Sequence, residues 1–171
     1  MAGEEKKTED HEIIYDWNFV DSFHNLDKKK FCLLDETLRD GLQSPSVVNP
    51  SEKEKFKFIL LMESLGIEHV NVGLPGAGDQ AFRDILHVAR EIKNNKLRIK
   101  PACAARTHEN DIKPVVEVSQ AAGIEIEVMS FIGSSPIRQL AEEWDISRML
   151  EFSRNAITFA VREGLPVTFV T

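Results

Sequence analysis

Three carboxylates and one guanidinium crowd into the nine residues DETLRDGLQ at positions 35 to 43, directly after a short apolar run. Asp40 offers the oxygen ligand that hard divalent cations prefer. Arg39 beside it offers a rigid fork of donors for a substrate carboxylate, or for an oxygen that becomes negative during a reaction. These residue types favour a metal-assisted site, although an Asp–Arg ion pair that only ties down a loop accounts equally for them.

Polar side chains also follow the later apolar runs of the chain. In a parallel barrel the carboxyl ends of the strands meet at one rim, and that rim carries the active site. We therefore expect several residues after the later runs to bind substrate, namely Asn71, Gly73, Arg106, Ser134 and Ser135. The glycine-rich turn at 73–78 lacks the lysine and spacing of a phosphate-binding loop, and its glycines instead let the backbone come close to a ligand. Residues 133–136 are predicted to form a loop.

An apolar, β-rich run followed by an amphipathic helical pattern recurs from residue 31 onward, which is typical of a parallel α/β fold. The predicted strands cover residues 31–34, 67–72, 97–104, 124–131 and 167–170. Their mean spacing is about 34 residues, so eight units would need about 270, close to the usual size of a (β/α)8 barrel. We therefore predict the N-terminal half of a TIM barrel over residues 31–171, with about four and a half βα units. An open, doubly wound sheet is the structural alternative.

Local signals predict where the helices begin. Ser51 and Glu54 match a capping box at the start of the first helix. Asp79 and Asp111 are the predicted caps of the second and third helices, and Pro114 is expected in the first turn of the third.

Composition limits the class of the protein. A formal net charge of −7 disfavours nucleic-acid binding, which depends on clustered Lys and Arg. No stretch approaches the roughly 18 apolar residues of a membrane helix, and the first residues lack a secretory signal, so we expect a cytoplasmic protein with no membrane partner. Cys32 and Cys103 lie in predicted strands and are expected to be reduced core thiols. Residues 1–30 are expected to form an arm with a disordered start, whose segment 13–23 contacts a dimer partner or caps the barrel.

Four strings, in order along the chain, carry a family resemblance. DETLRDGLQSP resembles the first-strand signature of the superfamily of α-isopropylmalate synthase, homocitrate synthase and hydroxymethylglutaryl-CoA lyase, which are metal-dependent barrels. VNVGLPGAG, CAARTHENDI and VMSFIGSSPIR resemble segments of its second, third and fourth strands. The resemblance covers residues 31–171 and is strongest to isopropylmalate synthase-like members.

The resemblance implies a Claisen-type condensation of acetyl-CoA with a 2-oxo acid to give a 2-alkylmalate. Asp40 would ligate a divalent metal (Mg, Mn or Zn), Arg39 would act as the catalytic group that stabilises the enolate, and Gln43 would help to hold the substrate. The alternatives are a 3-hydroxyacyl-CoA lyase, which runs similar chemistry in reverse, and an inactive or complemented half-barrel. A homodimer is expected for the full-length protein.

Three departures from the family pattern bear on the metal ligands or on the substrate. The family's His-x-His pair of metal ligands has no counterpart in these 171 residues, which favours an inactive or complemented half-barrel for the isolated chain. Four and a half units would also leave two strand edges exposed, so the sequence predicts a partial chain or one that pairs with another half-barrel. Asn71 stands where the family usually has Glu, which removes a charge from the site. Arg138 stands where a His is common, and its permanent charge would suit an extra carboxylate or phosphonate on the substrate.

Overall fold

The computed structural model describes residues 31–171, and the predicted arm over residues 1–30 lies outside this range. Within it are five strands and five α-helices, with one helix after each of the first three strands and two helices between the fourth and the fifth. The strands are β1 (Leu34–Asp35), β2 (His69–Asn71), β3 (Lys100–Arg106), β4 (Glu127–Phe131) and β5 (Val167–Val170). The helices are α1 (Glu52–Leu65), α2 (Asp79–Asn94), α3 (Glu109–Ala122), α4 (Pro136–Glu142) and α5 (Ile146–Arg162). None of the helices in this range is long and apolar enough to cross a membrane.

The strands form one parallel sheet in the order β1-β2-β3-β4-β5. Each strand therefore pairs with the next one along the chain, and the helices pack in chain order as well, α1 on α2, α2 on α3 and α3 on α5. A doubly wound sheet reverses its winding at a switch point and so breaks this order. The predicted half of a TIM barrel is confirmed, and the doubly wound alternative is wrong.

The hydrophobic core lies between the sheet and its helices. Side chains that pair across neighbouring strands face the same side of a parallel sheet, and Cys103 pairs with Val128, which pairs with Val167. Cys103 and Val128 are fully buried in this core together with residues from α2, α3 and α5. Burial raises the pKa of the Cys103 thiol, so this cysteine is the inert core thiol that the sequence predicts.

The N-terminal strand departs from its prediction. Residues 31–34 were expected to be an apolar strand covered on both faces, but β1 is only Leu34–Asp35, and Phe31 and Leu33 are exposed. The reason is that β1 is an edge strand, paired only with β2 among the described residues. Cys32 is exposed for the same reason, so its assignment as a core thiol is wrong.

Helix starts agree with the sequence at α1 and differ at α2 and α3. The Ser51–Glu54 capping box is present at α1, as predicted. Gly78 precedes α2 at the cap position, so Asp79 is the first residue of the helix rather than its cap. At α3 the Nδ1 of His108 accepts from the Asn110 backbone at 3.1 Å, so Asp111 does not cap it.

Two further local predictions change because α3 begins earlier and a helix was missed. With its start at Glu109, α3 holds Pro114 beyond its first turn, where the missing N–H gives up one helical hydrogen bond. The predicted loop at 133–136 runs into α4, whose first residue is Pro136. This helix has only seven residues, too few for an amphipathic repeat to show in the sequence.

Candidate functional site

The turn that follows β1 is folded around one carbonyl. The Glu36 carbonyl oxygen accepts from the backbone N–H groups of Arg39 at 3.1 Å, Asp40 at 2.8 Å and Gly41 at 3.4 Å. These three bonds close a tight turn that continues into a 3-10 turn over Gly41–Gln43. The backbone of the turn is thereby fixed, and it presents the Arg39 and Asp40 side chains at the carboxyl end of β1.

Arg39 reaches from this turn to the fourth strand. Its guanidinium contacts the Asp40 carboxylate, and its central carbon lies 5.4 Å from the centre of the Phe131 ring at the end of β4. A cation above an aromatic face is attracted by the ring, which helps to hold the side chain across the rim. The Arg39 Nε is buried and has no hydrogen-bond partner among the described residues. A buried donor left unpaired is costly, so an acceptor oxygen from a ligand is the partner that this geometry favours.

Asp40 stands at the surface of the turn, with 57% of its side chain exposed. An exposed carboxylate at the end of a barrel strand can reach a cation from solvent, and its oxygens suit Mg²⁺ or Mn²⁺. Across residues 31–171, no three His, Cys, Asp or Glu side chains are gathered as a metal site. Asp40 therefore fits a metal as one ligand of an oxygen donor set, and the other ligands would come from water, substrate or residues outside this range.

Asn71, at the end of β2, is buried, with 2% of its surface exposed. Its amide nitrogen donates to the Glu36 carboxylate at 3.2 Å and to the Met129 sulfur at 3.4 Å. Its amide oxygen accepts from the Gly73 backbone N–H at 3.2 Å. Asn71 thus connects the turn after β1, the loop after β2 and the body of β4.

Gly73 occupies a backbone conformation with φ at +132°, which side-chain-bearing residues rarely adopt. A Cβ atom at this position would lie 3.0 Å from the Cδ1 of Ile85 on α2. The Gly73 carbonyl oxygen accepts a hydrogen bond from the Ala104 backbone N–H at 2.9 Å. Close packing of α2 against the sheet is therefore one physical reason for this glycine, and backbone approach to a ligand remains a prediction.

A cavity of about 460 Å³ opens between the turn after β1 and the beginning of α2. Arg39, Gln43 and Gly73 all contribute to its wall. These three predicted residues come from two different rim loops, and the fold brings them to a single concave surface.

Arg106, at the end of β3, is engaged within its own loop. Its Nε and one terminal nitrogen donate to the two carboxylate oxygens of Asp111 at 2.5 and 2.8 Å, and its backbone N–H donates to the same carboxylate at 3.2 Å. This bidentate pairing raises the pKa of the Arg106 guanidinium. Because 66% of the guanidinium side chain is exposed, a ligand can still reach it. The pairing also explains why Asp111 does not cap α3.

The predicted residues after β4 are likewise engaged locally. The Ser135 hydroxyl accepts from the Arg138 backbone at 3.2 Å and caps α4. The Ser134 hydroxyl accepts from the Thr171 hydroxyl at 2.5 Å. The Arg138 guanidinium pairs with Glu142 at 3.2 Å, one turn along the same helix. In this arrangement the residues after β4 organise their own loop, and their contact with substrate stays a prediction.

The HMGL-like family model matches residues 30–170 of the chain. This chain belongs to the HMGL-like family. The match confirms the superfamily that four strings of the sequence indicate, and the relatives are isopropylmalate synthases, as the resemblance predicts.

The HMGL-like domain resembles several bacterial proteins named 2-isopropylmalate synthase. It is 36% identical over 112 residues to that of Aliarcobacter butzleri strain RM4018, which covers 66% of this chain and 20% of the relative. It is 34% identical over 140 residues to that of Campylobacter fetus subsp. fetus, covering 78% of this chain and 26% of the relative. It is 31% identical over 137 residues to that of Shewanella baltica strain OS155, with 78% and 24% covered. The chain thus spans about a quarter or less of these relatives.

Sequence reasoning missed two features near the carboxyl ends of the strands, an ion pair and a glutamate. Lys55 on α1 and Asp84 on α2 form a buried ion pair, Nζ to Oδ2 at 2.5 Å, and both line the cavity that holds Arg39. Buried Lys and Asp side chains are almost always paired, and their positions on the inner faces of two amphipathic helices were the available signal. Glu36 was also missed, because its role depends on Asn71, which lies 35 positions away.

Proposed function

We propose that this HMGL-like domain serves in a metal-dependent Claisen-type acyltransferase, which condenses acetyl-CoA with a 2-oxo acid to a 2-alkylmalate, as a 2-isopropylmalate synthase does. The observation that carries the proposal is the buried, unpaired Nε of Arg39 beside the exposed Asp40 carboxylate. An N–H donor that can bind an anion, next to a carboxylate that can bind a cation, is the arrangement that an enolate and its metal ion require. The names of the relatives support the same chemistry.

The reaction forms one carbon–carbon bond. The methyl carbon of acetyl-CoA loses a proton to a base and attacks the oxo carbon of the second substrate, whose oxygen takes up a proton and becomes a hydroxyl. One water then hydrolyses the thioester and releases CoA. A bound divalent metal supplies Lewis acidity at the oxo group. Asp40 would contribute one ligand, and Arg39 places fixed positive charge where an oxygen becomes negative. Arg39 is held for this task by Asp40 and by the Phe131 ring, so little reorganisation is needed as charge develops.

The direction of the chemistry is tested by a thiol-release assay on the full-length protein. Acetyl-CoA is supplied with a panel of 2-oxo acids and with Mg²⁺, Mn²⁺ or Zn²⁺, and free CoA is measured. We expect CoA release that depends on both the oxo acid and the metal. Cleavage of a 3-hydroxyacyl-CoA without any condensation would instead establish the lyase direction and contradict the proposal.

Substitution of Arg39 tests the residue that carries the proposal. Arg39→Lys keeps the charge but loses the fork of donors, and loss of one oxyanion donor lowers kcat by about 100-fold or more. The matched control is Arg154→Lys, at an exposed position on α5, which should leave kcat within about twofold of the wild type. Full activity of Arg39→Lys would remove Arg39 from the chemistry.

A further inference from the structure

Glu36 uses both its backbone and its side chain in the site. Its carbonyl collects the N–H groups of Arg39, Asp40 and Gly41. Its carboxylate accepts from the amide of Asn71 at 3.2 Å. The backbone of Glu36 therefore defines the turn, and its side chain connects that turn to β2.

The amide of Asn71 has one orientation consistent with its neighbours. The Gly73 backbone N–H needs an acceptor, which is the amide oxygen. The amide nitrogen then faces the Glu36 carboxylate and the Met129 sulfur, so that its two N–H donors both have partners. With both donors engaged and only 2% of its surface exposed, Asn71 has little left to offer a substrate.

We propose that Glu36 and Asn71 are a positioning pair: Asn71 holds the Glu36 carboxylate, and Glu36 in turn sets the turn that presents Arg39 and Asp40. Asn71 then acts through Glu36 instead of touching the substrate. The inference rests on the proposed function, because it assigns the pair to the support of the catalytic Arg39 and the metal-binding Asp40.

The donor and the acceptor of the hydrogen bond between Asn71 and Glu36 can be exchanged by substitutions that hardly change the shape of either side chain. Asn71→Asp sets two carboxylates 3.2 Å apart or closer, and like charges at that distance share one proton at low pH and repel at high pH. Glu36→Gln keeps an oxygen that accepts from Asn71, so its effect should be small. The double variant E36Q/N71D restores the hydrogen bond with donor and acceptor exchanged, and the Gly73 N–H retains an acceptor.

The test measures Mn²⁺ affinity of the full-length protein by calorimetry at pH 8. Loss of a residue that orients a ligand typically costs about 10- to 100-fold in metal affinity, and we expect a loss in that range for N71D at pH 8. E36Q/N71D should return to within about twofold of wild type, because the hydrogen bond is restored. Asn155→Asp, which adds the same charge at an exposed position on α5, should match the wild type throughout.

Hydrogen exchange at Arg39, Asp40 and Gly41 provides a second readout that does not depend on metal or activity. N71D should speed exchange of these three amides at pH 8, and E36Q/N71D should restore their protection. If the wild type binds no Mn²⁺ and condenses no substrate, the proposed function fails, while exchange still decides whether the pair holds the turn. Wild-type protection and affinity in N71D, or no recovery in the double variant, would overturn the positioning pair.

Discussion

At the scale of single residues, Arg39 shows how a side chain can bind a ligand because one of its hydrogen-bond donors has no partner in the protein. The Asp40 carboxylate and the Phe131 ring both hold the guanidinium, yet its Nε has no hydrogen-bond partner among the described residues. Natural structures pair nearly all buried donors, and the exceptions are often functional. The Arg106 guanidinium, by contrast, donates two hydrogen bonds to the Asp111 carboxylate. The two arginines therefore differ in what they have left for a ligand.

Gly73 gives a prediction at the same scale. Gly73→Ala should lower the free energy of unfolding by about 1 to 3 kcal/mol, since the backbone is strained for any side chain and the new Cβ would press on Ile85. The matched control is Gly66→Ala, where φ is +80° and no atom lies within 4 Å of the added Cβ, so its cost should be only about 1 kcal/mol. Urea unfolding measures both. Equal losses at the two glycines would show that contact with Ile85 contributes nothing.

At the scale of elements, the Lys55–Asp84 pair joins α1 to α2 at the wall of the cavity. Both side chains are nearly inaccessible, 9% and 11% exposed, and Gln80 donates to the other Asp84 oxygen at 2.6 Å. Removal of one partner from a buried pair leaves an uncompensated charge. The pair therefore fixes how the helices after β1 and β2 meet, and with them the width of the cavity that contains Gln43.

Lys55→Met tests this contact. It should destabilise the fold by about 3 to 5 kcal/mol because it leaves the Asp84 carboxylate buried without its opposite charge, and the double variant K55M/D84L should recover most of that loss. Lys113→Met is the control, since Lys113 and Glu109 form an exposed pair at 4.0 Å whose loss should cost about 0.5 kcal/mol or less. Thermal and urea unfolding of the four proteins give the comparison. If K55M/D84L is as unstable as K55M, the ion pair contributes more to the stability of the fold than neutralisation of the buried Asp84 charge.

Glu63 near the end of α1 gives a pH-dependent prediction. Arg98 and Ile99 directly precede β3, and their backbone N–H groups donate to the Glu63 carboxylate at 3.0 Å and 2.8 Å. The hydrogen bond from Arg98, reinforced by that from Ile99, holds the pKa of Glu63 below its ordinary value of 4.5. A carboxylate with a lowered folded-state pKa stabilises the fold above its unfolded pKa and loses that effect as the pH falls.

The stability difference between the wild type and Glu63→Gln should accordingly be constant above pH 4.5. It should shrink as the pH falls from there through the lower folded-state pKa, because both proteins then carry a neutral group. Unfolding by urea at pH 7, 5, 4 and 3 provides the measurement. Glu151→Gln, exposed on α5, should show no such pH trend, and a parallel trend in that variant would remove the assignment from Glu63.

At the scale of the whole molecule, the described half-barrel has two open sides. β1 and β5 are its edge strands, and apolar side chains are exposed on or beside both, including Leu33 at 58% and Phe169 at 43%. A closed barrel pairs its first and last strands and leaves no such edge. In a closed barrel further strands would cover these two edges, and this chain spans about a quarter or less of the relatives it matches.

An uncovered edge strand is a template for association. The 171-residue chain should therefore self-associate with rising concentration in sedimentation velocity, and Phe169→Lys should reduce this, because an edge lysine opposes strand pairing. Val161→Lys is the control, since Val161 is also exposed, at 59%, but lies in helix α5 and not in a strand. Equal effects of the two lysines would attribute the association to general surface hydrophobicity.

Much of the fold was determined by the sequence alone. Continuous apolar runs and helical stripes of period 3.6 depend on local geometry, so the alternation of strands and helices, the capping box at Ser51 and the parallel half-barrel were all predictable. The DETLRDGLQ string likewise placed Arg39 and Asp40 at the end of a strand, where the structure has them. These features need only neighbours close in the chain.

The tertiary structure decided which side chains are occupied and which are left for a ligand. Asn71 meets Glu36 across 35 positions, Lys55 meets Asp84 across 29, and Arg39 reaches the Phe131 ring from another strand. Such contacts exist only after the sheet has curled and the helices have packed, so no local pattern encodes them. A hydrogen bond or an ion pair is made or lost over about 1 Å, a precision that strand and helix periodicity cannot supply.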